Sequence, residues 1–200
     1  MSDNLPKRKA TRLSGYDYHD EGLYFVTICT QERENLFGEV INHVGARHAS
    51  PAYMKLNVYG TIITSVWRQI PKHYYVDLDI FQIMPDHIHF VIYINNHTGE
   101  ACLAPTNTLG SIIGSFKSEC TKQIRTAMNN PKFIVWQRNY YEHIIRDEDD
   151  LNRIRYYIEQ NPKNWGGTLL RCDEEDVRGR ACLRRQACLR RQDSGDRVTS

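Results

Sequence analysis

Gln82-Ile83-Met84-Pro85-Asp86-His87-Ile88-His89-Phe90-Val91-Ile92-Tyr93-Ile94 is the stretch on which the rest of the chain is read. It is dense in β-branched and aromatic residues and predicts a strand. Strand side chains alternate between faces. Ile88, Phe90, Ile92 and Ile94 therefore share an apolar face, and His87 and His89 share the other. The two imidazoles are two strand rises apart, roughly 6.5–7 Å along the chain. Side by side on one face, they can hold a single divalent cation. Two half-buried histidines, each bonded to a neighbour, would fit the same pattern.

Outward from this stretch, Leu23–Thr30 reads as a second strand, and Leu36–Val40 as its hairpin return after a polar turn. Residues 41–52 read as a surface loop. Tyr53–Gln69 has helical spacing, with Met54, Val58, Ile62, Val66 and Trp67 near one stripe and Pro71 past the end. Asp77–Ile83 is a strand that Pro85 separates from the histidine strand. Leu109–Met128 is a helix capped by Thr108, with Ile112, Ile113, Phe116, Cys120 and Ile124 on its apolar stripe. Phe133–Trp136 reads as a short strand, and Tyr140–Arg146 as strand or loop. Asp147–Asp150 places carboxylates at the start of a third helix, where the macrodipole favours them, and Pro162 predicts its end near Asn161. The order suits an α+β fold with helices on one face of an antiparallel, broadly ferredoxin-like sheet.

Composition sets bounds. Hydrophobic content of 40% and charged content of 25% suit a globular chain of 200 residues: one domain over 1–170, and a tail. The tail, 171–200, repeats Ala181–Gln186 as Ala187–Gln192 and reads as disordered or weakly helical. It holds eight Arg against six acids, so residues 1–170 are neutral. The six cysteines form no Cys-x-x-Cys pair, and no signal peptide or membrane-length apolar run is present. A cytoplasmic protein with free thiols is the simplest account.

The third helix brings further chemistry. Residues four apart share a helix face. Tyr156 with Gln160 and Tyr157 with Asn161 both have that spacing. At roughly 100° per residue, Tyr157 and Asn161 lie within about 90° of the buried face set by Leu151, Ile154 and Ile158, whereas Tyr156 and Gln160 lie about 150° or more away. The first pair is the better placed to meet a site on the sheet. Tyr157 as a rim aromatic and Asn161 as a helix terminator is the plainer alternative.

His87-Ile88-His89 after Met84-Pro85-Asp86, followed downstream by Tyr157-Ile158-Glu159-Gln160-Asn161-Pro162, resembles the single-tyrosine transposases of the HUH nuclease superfamily. The likeness is strongest to the REP-associated tyrosine transposases. Trp136-Gln137, Glu142-His143-x-Ile145-Arg146 and Arg12-Leu13-x-Gly15-Tyr16-Asp17-Tyr18 extend it over about residues 7–166. The resemblance implies a ferredoxin-like, Mg2+- or Mn2+-dependent endonuclease that cuts and rejoins single-stranded DNA near palindromic hairpins through a 5′-phosphotyrosine. It implies His87, His89 and Asn161 as metal ligands, Tyr157 as nucleophile, and action as a monomer or homodimer. Mobile members carry Gln four residues after the tyrosine, a pattern that Tyr156 with Gln160 would meet.

Two other readings compete. One is a non-catalytic ferredoxin-like module for hairpin nucleic acid, with aromatics such as Tyr93 stacking on bases. The other is a metal-binding protein acting on a small phosphate ester. Lys7, Arg8, Lys9 and Arg12 form the densest positive cluster outside the tail and are the expected DNA contacts. Phosphate contacts release counterions, so affinity falls as salt rises. Deleting residues 1–12 is expected to flatten that dependence in a binding titration across salt concentrations. An unchanged slope would remove the arm from the interface.

Overall fold

The computed structural model describes residues 21–41, 52–95 and 108–165. The basic arm, most of the 41–52 loop, residues 96–107 and the repeated tail lie outside them. The described chain runs β1 (Gly22–Cys29), β2 (Gly38–Ile41), β3 (Tyr53–Leu56), α1 (Val58–Trp67), β4 (Val76–Ile83), β5 (His87–Ile94), α2 (Leu109–Met128), β6 (Tyr141–Ile145) and α3 (Glu148–Asn164).

Four strands form one antiparallel sheet in the order β4-β5-β1-β6. The histidine strand β5 is central, and every residue of β1 pairs with it, from Gly22 opposite Ile94 to Cys29 opposite His87. The chain reverses from β4 to β5 through Pro85 and Asp86, with the Met84 N–H donating to the His87 carbonyl at 2.8 Å. The turn is held from outside. Its Pro85 carbonyl accepts from the N–H groups of Leu36 and Phe37, and its Asp86 carbonyl from that of Thr30.

Period-two alternation sorts the sheet. Ile88, Phe90, Ile92 and Ile94 join Tyr24, Val26 and Ile28 in one buried cluster with Ile63 and Trp67 of α1 and Ile112, Phe116 and Ile124 of α2. Trp67 stacks on Phe81 at 4.8 Å between ring centres. Each such aliphatic side chain contributes about 1.5–3 kcal/mol when fully buried. The opposite face carries Phe25, His87 and His89, and there α3 lies: the Tyr157 ring centre is 6.2 Å from that of Phe25. Helices thus cover both faces, rather than the single face expected from element order. The apolar stripe of α3 needs a surface of its own, because α1 and α2 already fill the first.

Four further expectations are corrected. The segment after β1 does not return beside it; β2 pairs with β3 instead. Tyr53–Leu56 is therefore strand, and the helix begins only at Val58. There the Asn57 side chain accepts from the N–H groups of Tyr59 and Gly60, a cap that outweighs the helical stripe read through Met54. Phe133–Trp136 supplies a single bridge, Thr30 to Trp136. That bridge is made by the Gln31 N–H to the Val135 carbonyl and the Gln137 N–H to the Cys29 carbonyl, while the Phe133 carbonyl accepts from Arg125 Nε. Finally, α3 continues through Pro162 to Asn164, the proline falling in the last turn, where few helical hydrogen bonds lie beyond it. The span and Thr108 cap of α2 match their expectation, Thr108 and Ser111 forming a capping box, and Tyr141–Ile145 resolves as strand.

Two helical glycines should respond oppositely to alanine. A Cβ on Gly60 would meet the Phe37 carbonyl at 2.5 Å, whereas one on Gly114 would meet nothing within 4 Å. Gly114→Ala is expected to stabilise by about 0.5–1 kcal/mol, the ordinary helical gain, and Gly60→Ala to destabilise despite the same gain. Urea unfolding midpoints check both signs.

Candidate functional site

The site is built where β5, β1 and α3 meet. Gln82, His89, Thr27 and Tyr141 are paired in one row across the four strands and share a face. His87 lies in the next row, opposite Cys29. Both imidazoles are buried, at 2% and 1% exposure, which corrects the half-buried alternative. The two Nε2 atoms face each other at 3.0 Å. Each Nδ1 is engaged from behind: His87 Nδ1 by the Asp86 carboxylate, His89 Nδ1 by the Thr27 hydroxyl at 2.8 Å. An ionised carboxylate only accepts, so His87 Nδ1 carries a proton, and a neutral His87 would turn its Nε2 lone pair to the shared space. Arg33 sits 3.5 Å from the other side of Asp86. Burial, followed by the charges of His87 and Arg33, holds His89 well below 6.5 and so keeps it neutral.

This donor set fits a divalent ion. Two adjacent ligands of an octahedral ion with bonds of about 2.1 Å lie about 3.0 Å apart. An acceptor behind a ligating imidazole is the usual orienting partner, and Asp86 occupies that place. Asn161 is 7% exposed and its Nδ2 is buried without a hydrogen-bond partner. An amide oxygen and nitrogen exchange by a half-turn of the side chain, so Asn161 can present a hard acceptor. Among the described residues no group of three His, Cys, Asp or Glu side chains could hold a metal. Among the described residues a third protein ligand would therefore be of another type, as an Asn amide is.

The two tyrosines of α3 part company. Tyr157 lies edge-on to His89, ring centres 5.4 Å apart. Tyr156 is 66% exposed, and the Gln160 amide oxygen accepts from Lys163. The helix phase read from Leu151, Ile154 and Ile158 thus matches the structure. Lys7, Arg8, Lys9 and Arg12 lie outside the described residues. Tyr93, considered as a base-stacking ring, has its hydroxyl donating to Glu21.

Three features of the site were missed in the sequence. Thr27, behind His89, stands in the strand expected over Leu23–Thr30, but only its register opposite His89 gives it a role. Asp86 stands in the motif itself, but no spacing rule gave it a role. The third is the clamp on α3. A bulge between Leu78 and Phe81 sets two residues of β4, Asp79 and Ile80, against one of β5, Val91. Arg155 grips the Asp79 carboxylate through Nε at 3.1 Å and Nη2 at 2.6 Å. At the other sheet edge, His143 of β6 bonds Asp150 of α3 at 2.8 Å. Burial works to raise the Asp150 carboxyl, but His143 and Arg153 outweigh it and hold it below the usual carboxylate value. Partly exposed pairs like these are worth at most about 1 kcal/mol each. Their effect is geometric, since they tie the first half of α3 to both edges of the sheet, ahead of Tyr157.

A sheet that presents facing histidines to a tyrosine-bearing helix is the layout expected of the single-tyrosine transposases. The chain belongs to the IS200-like transposase family, whose model matches residues 22–161. An uncharacterised Haemophilus influenzae protein is 39% identical over 180 residues, covering 83% of this chain and 94% of its own. A second H. influenzae protein, named as a candidate REP-associated tyrosine transposase, is 25% identical over 150 residues and 75% of each chain. Among solved structures, a REP-associated tyrosine transposase bound to a REP hairpin superposes with a TM-score of 0.50 at 19% identity, over 77% of this chain and 75% of that one. That likeness is one of fold. No helix among the described residues is long and apolar enough to cross a membrane.

Proposed function

We propose that this transposase is a metal-dependent enzyme that cuts and rejoins single-stranded DNA near palindromic hairpins, with Tyr157 as nucleophile and His87, His89 and Asn161 as ligands of Mg2+ or Mn2+. The observation that carries the reading is the pair of Nε2 atoms at 3.0 Å with the Tyr157 ring against His89. When bound, the ion supplies a Lewis acid that draws charge from a phosphate oxygen. Asp86 and Thr27 hold the imidazoles in orientation. Burial keeps His89 a neutral donor, and α3 brings Tyr157 and Asn161 to the same phosphate from one helical face. The Tyr157 oxygen forms a bond to phosphorus as the bond to the 3′ oxygen breaks. The phenolic proton is lost, and the strand leaves as a 3′ hydroxyl after gaining one. The phosphotyrosine keeps the phosphodiester energy, so the 3′ hydroxyl can reverse the step without ATP. The hairpin substrate is supported by the neighbour of the same fold that is bound to a REP hairpin. The basic arm, 1–12, would add sequence-independent phosphate contacts.

Tyr157→Phe removes only the reacting oxygen. It should abolish the covalent DNA adduct seen on denaturing gels while preserving hairpin affinity and melting temperature, and Tyr156→Phe should keep the adduct. The reverse pattern would shift the site to Tyr156 and Gln160. An adduct from neither parent nor variants would favour the non-catalytic binding module.

Because both histidines are buried, alanine would leave cavities, and leucine, which fills the space without a donor atom, is the better replacement. Mg2+ or Mn2+ should raise the melting temperature of the parent and not that of His87→Leu or His89→Leu, since an ion that binds only the folded state stabilises it. Cleavage by either variant at the parent rate would place the metal elsewhere.

A further inference from the structure

We infer that the cleft at the edge of β4, which no other strand among the described residues covers, seats the unpaired DNA strand flanking the scissile phosphate. This deepens the transposase reading above and rests on it. The cleft encloses ≈ 660 Å³ between β3, the end of α1, the end of β4 and the last turn of α3. That lies within the span of about 300–1,000 Å³ typical of ligand sites. Two observations tie it to the histidine pair. Gln82, which lines it, pairs directly with His89 and shares its face. Gln160 and Pro162, which also line it, flank Asn161 on either side. A strand with its phosphate at the imidazoles would thus have the cleft one strand-width away, about 4.8 Å across the sheet.

Its chemistry suits a phosphodiester chain. Arg68 and Lys163 supply two exposed cations against one carboxylate, Glu159. Tyr53, 49% exposed, offers a ring face, and Gln82 and Gln160 keep one amide atom each for a base edge, the Gln82 Nε2 donating to the Ile83 carbonyl and the Gln160 Oε1 accepting from Lys163. Cations for the backbone beside an aromatic platform for the bases are the recurring elements of single-strand sites. The same edge of β4 could instead take a peptide strand by main-chain pairing, but such a ligand would have little use for the two cations.

The test compares a fluorescent oligothymidylate with a blunt DNA hairpin that has no unpaired flank. The Tyr157→Phe background is used so that binding is read without cleavage. Adding Arg68→Ala and Lys163→Ala should weaken oligothymidylate binding about tenfold and leave the blunt hairpin unchanged. The slope of log affinity against log salt should fall by about 1.4, at about 0.7 per single-strand phosphate contact. Tyr53→Ala should weaken the same probe with the slope unchanged, since stacking releases no counterions. Both cations are exposed, so the melting temperature should hold. Equal losses on the two probes, or no loss on the oligothymidylate, would overturn the assignment. Adduct formation is measured separately, so the cleft can fail with the tyrosine chemistry intact, and the reverse.

Discussion

The antiparallel ladder between β1 and β5 is the constraint on which everything else depends. It runs without interruption from Gly22 opposite Ile94 to Cys29 opposite His87. Its alternation sends four β5 side chains into hydrocarbon and turns two imidazoles the other way. Hydrophobic burial therefore fixes the histidines without touching them: a one-residue slip would bring His87 and His89 into the cluster with Phe116 and Trp67. The polar face then needs only local partners. Asp86 comes from the turn that ends β4, and Thr27 from the strand alongside.

The third helix solves a separate problem. It must cover a face that contains polar groups, so its own stripe is mixed: Ile154 and Ile158 are buried beside Asn161. Packing alone would leave such a helix free to shift, since a mixed stripe buries less apolar area than α2 does. The two edge contacts, Arg155 to Asp79 and His143 to Asp150, limit that freedom at both sides of the sheet. Tyr157 follows Arg155 by two residues on the same helix, so its distance from His89 is set by elements that do not belong to the chemistry.

Much of this was legible in the residues. The period-two run of β5 gave the strand, its two faces and the histidine pair. The wheel of α3 separated Tyr157 from Tyr156, because burial of Leu151, Ile154 and Ile158 leaves little choice of phase. What failed were judgements that depend on partners distant in sequence. Leu36–Val40 carries strand propensity, but nothing in it says that the partner is Tyr53–Leu56 rather than β1. Tyr53–Gln69 shows one helical stripe, and only the cap at Asn57 divides it. Sequence order could not reveal that α3 takes the second face of the sheet, because that follows from the first face being full. Asp79 pairs with Arg155 across 76 positions, through an irregularity that no alternation rule anticipates.

That irregularity also governs which changes of length the chain tolerates. Leu78 and Phe81 both face the apolar cluster although three positions apart, because the strand spends one residue in the kink. Loss of a single codon there would restore plain alternation and leave both side chains where they are. The same loss inside His87–Ile94 would turn every residue beyond it to the opposite face. A lineage of such genes can therefore lengthen or shorten β4 by one residue at Asp79-Ile80 and keep its core, while the histidine strand can change only by substitution.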